Sequence, residues 1–329
     1  MKKYRAVVVG AGRVGATYPE ADQPRTHLGA YISHPRFDPV AVVECDPLAR
    51  SEFQRLRPDF QGAVLESVHD LAAIHPEVIS ICVPPSATPR ILRAILDVKP
   101  RLIFMEKPLA TTEDDAENLR REILSSGIAT AVNFHRNWDP AHERFFRRIA
   151  ECGLPKSIRA VYGKGLFNYA SHLIALLIRH FGDVAAVGVI GPPAAHADGD
   201  SSPSFYLRMA AGFDAHFLGI DDLEYDVLEM EVFMPRQVLS LGAGGCRRRL
   251  SEPVSGLFYP GYSQLADSRE IEPDTQVRGL SEALDNFAAF LDGTTNSLGA
   301  DLSLGLRVLD TLFTVRKQVR LTRQLNTAI

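Results

Sequence analysis

Three glycines, a glutamate, a lysine and a histidine are the residues whose types and spacing point to chemistry. Gly10, Gly12 and Gly15 stand in G-x-G-x-x-G spacing within Gly10-Ala11-Gly12-Arg13-Val14-Gly15. Such a run, directly after an apolar stretch at 4–9, is a phosphate-carrying turn. Its first glycine makes the tight turn, its second lets backbone approach a pyrophosphate, and its third lets the next helix pack closely. The chemistry implied is dinucleotide binding, with Arg13 and Val14 counted in the cofactor-facing turn. A tight turn without a ligand is the plainer alternative. Glu44 ends the apolar run after Val40, where a carboxylate accepts hydrogen bonds from ribose hydroxyls and repels a 2′-phosphate. NAD is therefore expected, with NADP as the open alternative. The acid usually follows the fingerprint by about 20 residues; here Pro19 and Pro24 break the first crossover helix and delay it. Asp46 competes for the role, but Asp46-Pro47 already reads as a helix cap followed by proline.

A second group lies further along. Met105-Glu106-Lys107-Pro108 closes another apolar run. Ligands of open α/β sheets bind beyond the carboxyl ends of strands, so Glu106, and Pro84 after 78–83, are assigned to the cofactor edge. A lysine there can give or take a hydroxyl proton when burial or a neighbouring cation lowers its pKa. An exposed loop lysine is the bland alternative for Lys107. Asn168 and His172 are four apart, a spacing that puts two side chains on one helix face. Leu173, Ile174, Leu176 and Leu177 are core, so a satisfied core histidine competes with a functional one. His27, His135 and His180 have weaker claims.

The elements that must position these residues fall into two textures. Up to 132, short β-branched runs (4–9, 40–44, 78–83, 102–105, 128–132) alternate with capped helices, as strands buried on both faces do. Asp46, Ser67 and Thr112 supply N-caps, and Gly127 a stop. This predicts a doubly wound parallel sheet over 1–132. After 133, alternating segments at 156–162, 205–209, 214–220 and 227–233, with a turn-rich stretch at 191–203, predict an antiparallel α+β domain over 133–329. Helical periodicity returns at 280–291 and 301–319. The expected fold is thus α/β, an N-terminal Rossmann domain plus a C-terminal α+β domain.

Composition narrows the classes. A chain of 329 residues with 46% hydrophobic and 23% charged residues can bury ordinary cores and calls for two domains. Net charge is −4, and the nearest basic cluster, Arg247-Arg248-Arg249, is short and reads as a solvated strand end, so nucleic acid is not expected as partner. Cys45, Cys82, Cys152 and Cys246 lack paired spacing, so neither a metal nor a disulfide framework is expected. Cys45 and Cys82 read as small apolar groups at buried strand ends. The chain enters a strand at Tyr4 without an apolar leader, and no stretch approaches a membrane span, so a cytoplasmic protein away from membranes is expected.

The glycine fingerprint, Glu106-Lys107-Pro108, Val132-Asn133-Phe134-His135-Arg136-Asn137-Trp138, and the stretch Gly165 to Ile174 around His172 together resemble the glucose–fructose oxidoreductase and inositol dehydrogenase family (Gfo/Idh/MocA). The similarity covers both domains. It implies that Lys107 is the catalytic acid/base, that Glu106 and Pro108 fix its backbone, and that His172 assists. It also implies a large open antiparallel sheet that joins subunits, hence a homodimer or homotetramer. The family pattern has an acid at position 168 and often one at 175; Asn168 and Ala175 stand here. Asn168 can position a substrate hydroxyl without titrating. The run Tyr162-Gly163-Lys164-Gly165 before it resembles members acting on sugars or nucleotide-linked sugars. Tyr162, Lys164 and Arg136 are then candidate contacts to a phosphate or carboxylate of the substrate, against the alternative of solvated surface. The leading expectation is a nicotinamide-dependent dehydrogenase acting on CH–OH groups of a sugar, nucleotide-sugar or cyclitol. The alternative is a catalytically weakened NAD(P)-binding sensor or regulator.

Overall fold

The computed structural model describes residues 2–190, 199–256, 259–272 and 278–327. It opens on β1 (Tyr4–Val9), buried on both faces, then a single π turn (Arg13–Thr17), α1 (His27–Ser33) and β2 (Phe37–Val43). The crossover is broken where Pro19 and Pro24 stand, and only seven residues of α1 remain. Glu20 ties the intervening loop back, accepting from the Arg25 amide (2.8 Å) and the Thr26 hydroxyl, while Thr26 caps α1 through the Gly29 amide. There follow α2 (Pro47–Leu56), β3 (Ala63–Leu65), β4 (Val78–Ile81), α3 (Thr88–Val98), β5 (Leu102–Met105), α4 (Glu113–Ser126), β6 (Ala129–Val132) and α5 (His135–Trp138). The caps act as expected: Asp46 accepts from the Leu48 and Ala49 amides, Thr112 from Asp115, and Gly127 ends α4 in the left-handed region (φ 67°). Ser67 caps only a short 3-10 turn, Val68–Ala73.

The strands pair in parallel in the order β3-β2-β1-β4-β5-β6. Four of them end in register with β1, at Val43, Ile81, Met105 and Val132. The next residues, Glu44, Gly10, Cys82, Glu106 and Asn133, therefore form a row along the carboxyl edge of the sheet. The amides of Gly10, Cys82, Glu106 and Asn133 continue the ladder, to Val43, Val9, Ile81 and Met105 (2.8–3.0 Å). The chain order reverses between β1 and β4, the point where such sheets open a crevice.

The second body starts with α6 (Pro140–Glu151), capped by Asp139, and β7 (Ser157–Tyr162). A π turn (Leu166–Ala170) leads into α7 (Ser171–Phe181), then β8 (Val184–Val189), β9 (Phe205–Met209), β10 (Asp214–Gly219), β11 (Leu228–Met234), β12 (Gln237–Gly242), β13 (Arg247–Ser251), β14 (Pro253–Ser255), β15 (Ser263–Leu265) and β16 (Arg269–Glu272). Eight strands form one sheet, β16-β13-β12-β11-β7-β10-β9-β8, antiparallel except where β7 meets β10; β14 and β15 pair separately. Alternation turns Ile158, Ala160 and Tyr162 inward and Arg159 outward. Of the turn-rich stretch 191–203, residues 191–198 lie outside the described residues.

The reading of Arg247-Arg248-Arg249 as a solvated strand end is corrected. In β13 the middle arginine faces inward and is fully buried, donating to the Gly245 carbonyl (2.9 Å) and pairing with Glu272. Cys45 is also corrected: β2 stops at Val43, which leaves Cys45 exposed.

The tail forms α8 (Gly279–Leu291) and α9 (Leu302–Thr327). Contacts divide the chain into one unit of Met1–Trp138 with Arg278–Leu309, and another of Asp139–Val277 with Asp310–Ile329. Residues 133–138 and α8 thus go with the first unit, where a boundary at 132/133 had given them to the second. The cause is packing: Phe287 of α8 sits 4.8 Å from Phe104 and 5.4 Å from Trp138, ring to ring. Arg36 also grips Asp292 with two hydrogen bonds (2.7 and 2.8 Å). No helix among the described residues is long and apolar enough to cross a membrane. No group of three His, Cys, Asp or Glu among them could hold a metal ion.

Candidate active site

The glycine turn is set partly by its own chain. Gly10 has φ +99°, and a Cβ there would lie 2.7 Å from the Cys82 carbonyl oxygen; one on Gly15 would lie 2.0 Å from the Gly10 carbonyl oxygen. Gly12 differs. A Cβ there meets nothing within 4 Å, so its bare Cα answers no need of the protein and leaves the backbone open to approach. That is the cradle a pyrophosphate requires, and the residues fit a dinucleotide. Arg13 and Val14 are both exposed on this turn, Arg13 over the Tyr18 ring at 4.5 Å.

Glu44 stands beside the turn. Its Oε2 accepts from the Ala11 amide (2.9 Å) and its Oε1 from the Asp46 amide (3.0 Å). Asp46 is occupied as the cap of α2, which leaves Glu44 as the acid of this edge. A cavity of about 80 Å³ opens here between Gly10, Glu44, Ser67, His69, Arg90 and Ile91. Arg90, on α3, escaped notice in the sequence because only folding brings it near Glu44; an arginine there is the type that accepts a 2′-phosphate. Pro84 lies in the β4–α3 loop and its carbonyl accepts from Ala87 (2.9 Å).

Two strands over, Glu106 is held from three sides. Its Oε1 accepts from His27 Nε2 (2.8 Å) and Asn133 Nδ2 (2.5 Å), and its Oε2 from the Lys107 amide (3.3 Å). Behind it, His27 Nδ1 meets Ser80 Oγ (2.9 Å), which meets the Tyr31 hydroxyl (2.8 Å). Burial pushes the Glu106 carboxyl up, but His27, Asn133 and the Lys107 charge outweigh it and hold it below its ordinary value. Lys107 itself is half-buried. Nothing in the local sequence marks Ser80, Tyr31 and Asn133 as site residues, and His27 has only a weak claim; their signal is that α1, β4 and the end of β6 bring them together.

In the second unit, Asn168 is exposed on the π turn and His172 is buried in the first turn of α7, so they do not share a face as α-helical spacing predicts. The wider π turn shifts the register between them. Asp200, absent from the expected site, anchors the turn by accepting from the Phe167 and Asn168 amides (3.0 and 2.9 Å). Lys164 is exposed and pairs with Asp226, which raises its ammonium. Tyr162 is buried rather than on the surface, with its hydroxyl donating to the Pro203 carbonyl (2.6 Å). Arg136 lies on α5 in the first unit and is half-buried. Ala175 is buried in the core of α7.

A parallel sheet whose order reverses beside a glycine turn, with an acid after β2 and a lysine after β5, defines a dinucleotide-binding α/β protein. Residues 4–134 match the model described as "Oxidoreductase family, NAD-binding Rossmann fold". Over this region, which is less than half of the chain, the sequence is similar to the Gfo/Idh/MocA oxidoreductases. No curated protein matches the chain in sequence. Similar folds include UDP-N-acetylglucosamine 3-dehydrogenase GnnA from Acidithiobacillus ferrooxidans (16% identity, TM-score 0.75, covering 98% of this chain and 99% of that one). The WlbA dehydrogenase from Bordetella pertussis, solved in complex with NADH and UDP-GlcNAcA, is similar too (16% identity, TM-score 0.75, 97% and 96%). So is a super-repressor mutant of Gal80p from Saccharomyces cerevisiae (13% identity, TM-score 0.75, 97% of each). At these identities the likeness is one of fold.

Proposed function

We propose that this chain is an NAD-dependent dehydrogenase that moves a hydride between the nicotinamide cofactor and a hydroxyl-bearing carbon of a sugar, nucleotide-sugar or cyclitol. The observation that carries the reading is the row along the carboxyl edge. Gly10 and Glu106 follow strands two places apart, about 10 Å at ordinary strand spacing. One dinucleotide can therefore lie across the glycine turn and still bring its reactive end to Lys107. The turn 10–15 would hold the pyrophosphate and Glu44 a ribose; when bound, the cofactor supplies the hydride chemistry. Lys107 exchanges the proton of the substrate hydroxyl as general acid/base. Exposed Asn168 gives a hydroxyl both a donor and an acceptor, and His172 orients or assists. The dehydrogenases among the similar folds support a nucleotide-linked sugar as substrate class.

The test is an absorbance assay of the purified protein with NAD and a panel of sugars and nucleotide-sugars. Turnover is expected, and Lys107→Met should cut it by about 10²-fold or more while the protein stays folded. A Lys107→Met enzyme with full turnover would remove the lysine from the mechanism. Asn168 and Ala175, neither of which carries a proton, favour a second reading as a sensor that binds dinucleotide and regulates a partner. Tight nucleotide binding without turnover across the panel would decide for it. The dehydrogenase reading includes a cytoplasmic location and a homodimer or homotetramer built through the eight-stranded sheet. Light scattering that returns the monomer mass at assay concentration would remove the oligomer.

A further inference from the structure

We infer that His27 is a positioning residue for Lys107, acting through the Glu106 carboxylate that it grips from α1; this rests on the role given to Lys107 above. The carboxylate sets the direction at the near end of this hydrogen-bond chain. An ionised carboxylate accepts and never donates, so His27 carries its proton on Nε2 and gives that hydrogen bond to Glu106. Its Nδ1 faces the Ser80 hydroxyl, which in turn meets that of Tyr31.

The chain stops inside the protein, since Ser80 is fully buried and Tyr31 nearly so. It is an anchor, not a proton path to water. Its product is one carboxylate fixed to α1 by His27, to the segment after β6 by Asn133, and to the backbone of Lys107 by its second oxygen. The groups around Glu106 are His27 from α1, Ser80 from β4, Cys82 just after it, Asn133 and Lys107. The Cys82 thiol, pushed up by burial and then by the Glu106 charge, stays neutral. The Lys107 charge favours this anion.

The experiment is competitive acetylation of Lys107 in the cofactor-free protein across pH, read by peptide mass spectrometry. It compares wild type, His27→Leu and His27→Gln, with thermal melting of each. Gln places an amide N–H where Nε2 stood and should leave the labelling curve unchanged. Leu removes that N–H and with it the hold of α1 on the half-buried carboxylate, and should move Lys107 half-labelling about one pH unit lower, a tenfold rise in reactivity at fixed pH. A folded His27→Leu protein with the wild-type curve, or a Gln variant that behaves like Leu, overturns the inference. Should the Leu variant fail to fold, Ser80→Ala decides, with a smaller shift in the same direction expected and no shift refuting it. Labelling needs no substrate, so this outcome stands apart from whether the dehydrogenase reading holds.

Discussion

Gly12 and Gly15 are expected to answer the same substitution with opposite signs. An alanine Cβ at Gly15 would sit 2.0 Å from the Gly10 carbonyl oxygen and 3.2 Å from Cys82 Cβ. The carbonyl is backbone and is itself part of the turn, so it must move by more than 1 Å to restore contact distance; overpacking of this kind costs about 1–3 kcal/mol. At Gly12 the backbone is ordinary (φ −62°, ψ −174°) and the added methyl meets nothing. Gly12→Ala should therefore stabilise the cofactor-free protein by about 0.4–1 kcal/mol, by restricting the unfolded chain.

Differential scanning fluorimetry with and without NADH reads both effects. For a unit of this size each kcal/mol shifts Tm by about 2–4 °C, so Gly15→Ala should melt several degrees below wild type and Gly12→Ala slightly above it. Ligand at a hundredfold excess over Kd adds about 2.7 kcal/mol to wild type. Gly12→Ala should lose most of that shift, because its methyl occupies the approach of the pyrophosphate. A Gly12→Ala protein that melts below wild type without ligand, or keeps the full NADH shift, would refute the claim that this glycine serves the cofactor alone.

Wild type is expected to bind NAD more tightly than NADP, and Glu44→Ser should narrow the ratio by about tenfold by removing the carboxylate that repels a 2′-phosphate. Isothermal titration decides, and a wild type that prefers NADP would mean that Arg90, not Glu44, sets the choice. Acid should loosen the clamp of α8 on the first unit. Arg36 and Tyr4 lower the Asp292 carboxyl from its ordinary value of 3.8 to about 2, so its contribution is present above pH 4 and lost as pH falls from there toward 2. Asp292→Asn should lower Tm at neutral pH, and the gap to wild type should close over that window; a gap independent of pH would assign the effect to packing. Arg248→Ala should cost about 2–5 kcal/mol, because it empties a fully buried place in the sheet and removes the hydrogen bond to the Gly245 carbonyl, while Glu272 keeps its bidentate pair with Arg144. Urea unfolding within 1 kcal/mol of wild type would contradict that.

What could be read from the chain is what depends on neighbours in sequence. The strand ends at Val9, Met105 and Val132 fall where the apolar runs stop, and Asp46, Thr112 and Gly127 cap their helices because a cap needs only its own next turn. Short strands were less legible: Ala63–Leu65 has three residues and no fully buried one, and pairs only along β2. Arg247-Arg248-Arg249 shows the limit of composition, since a charge run says nothing of which residue strand alternation turns inward. Similarly, the tail helices carry a clear helical period but no mark of the unit they join; Phe287 finds Phe104 and Trp138 only through the fold.

The site divides along the same line. Gly10, Glu44 and Lys107 announce themselves because each follows a strand in a recognisable local pattern. The groups that fix the charge beside Lys107 do not, for His27, Ser80, Glu106 and Asn133 come from α1, β4 and the ends of β5 and β6. They meet because parallel strands ending in register put successive loop residues side by side. The broken first crossover then acquires a use: Glu20 and Thr26 pin the start of α1, and the residue directly after that cap is His27. A crossover helix that ran unbroken from the glycine turn would have reached position 27 far from the edge of β5. The prolines that make the first helix atypical in sequence are thus what deliver the histidine to Glu106.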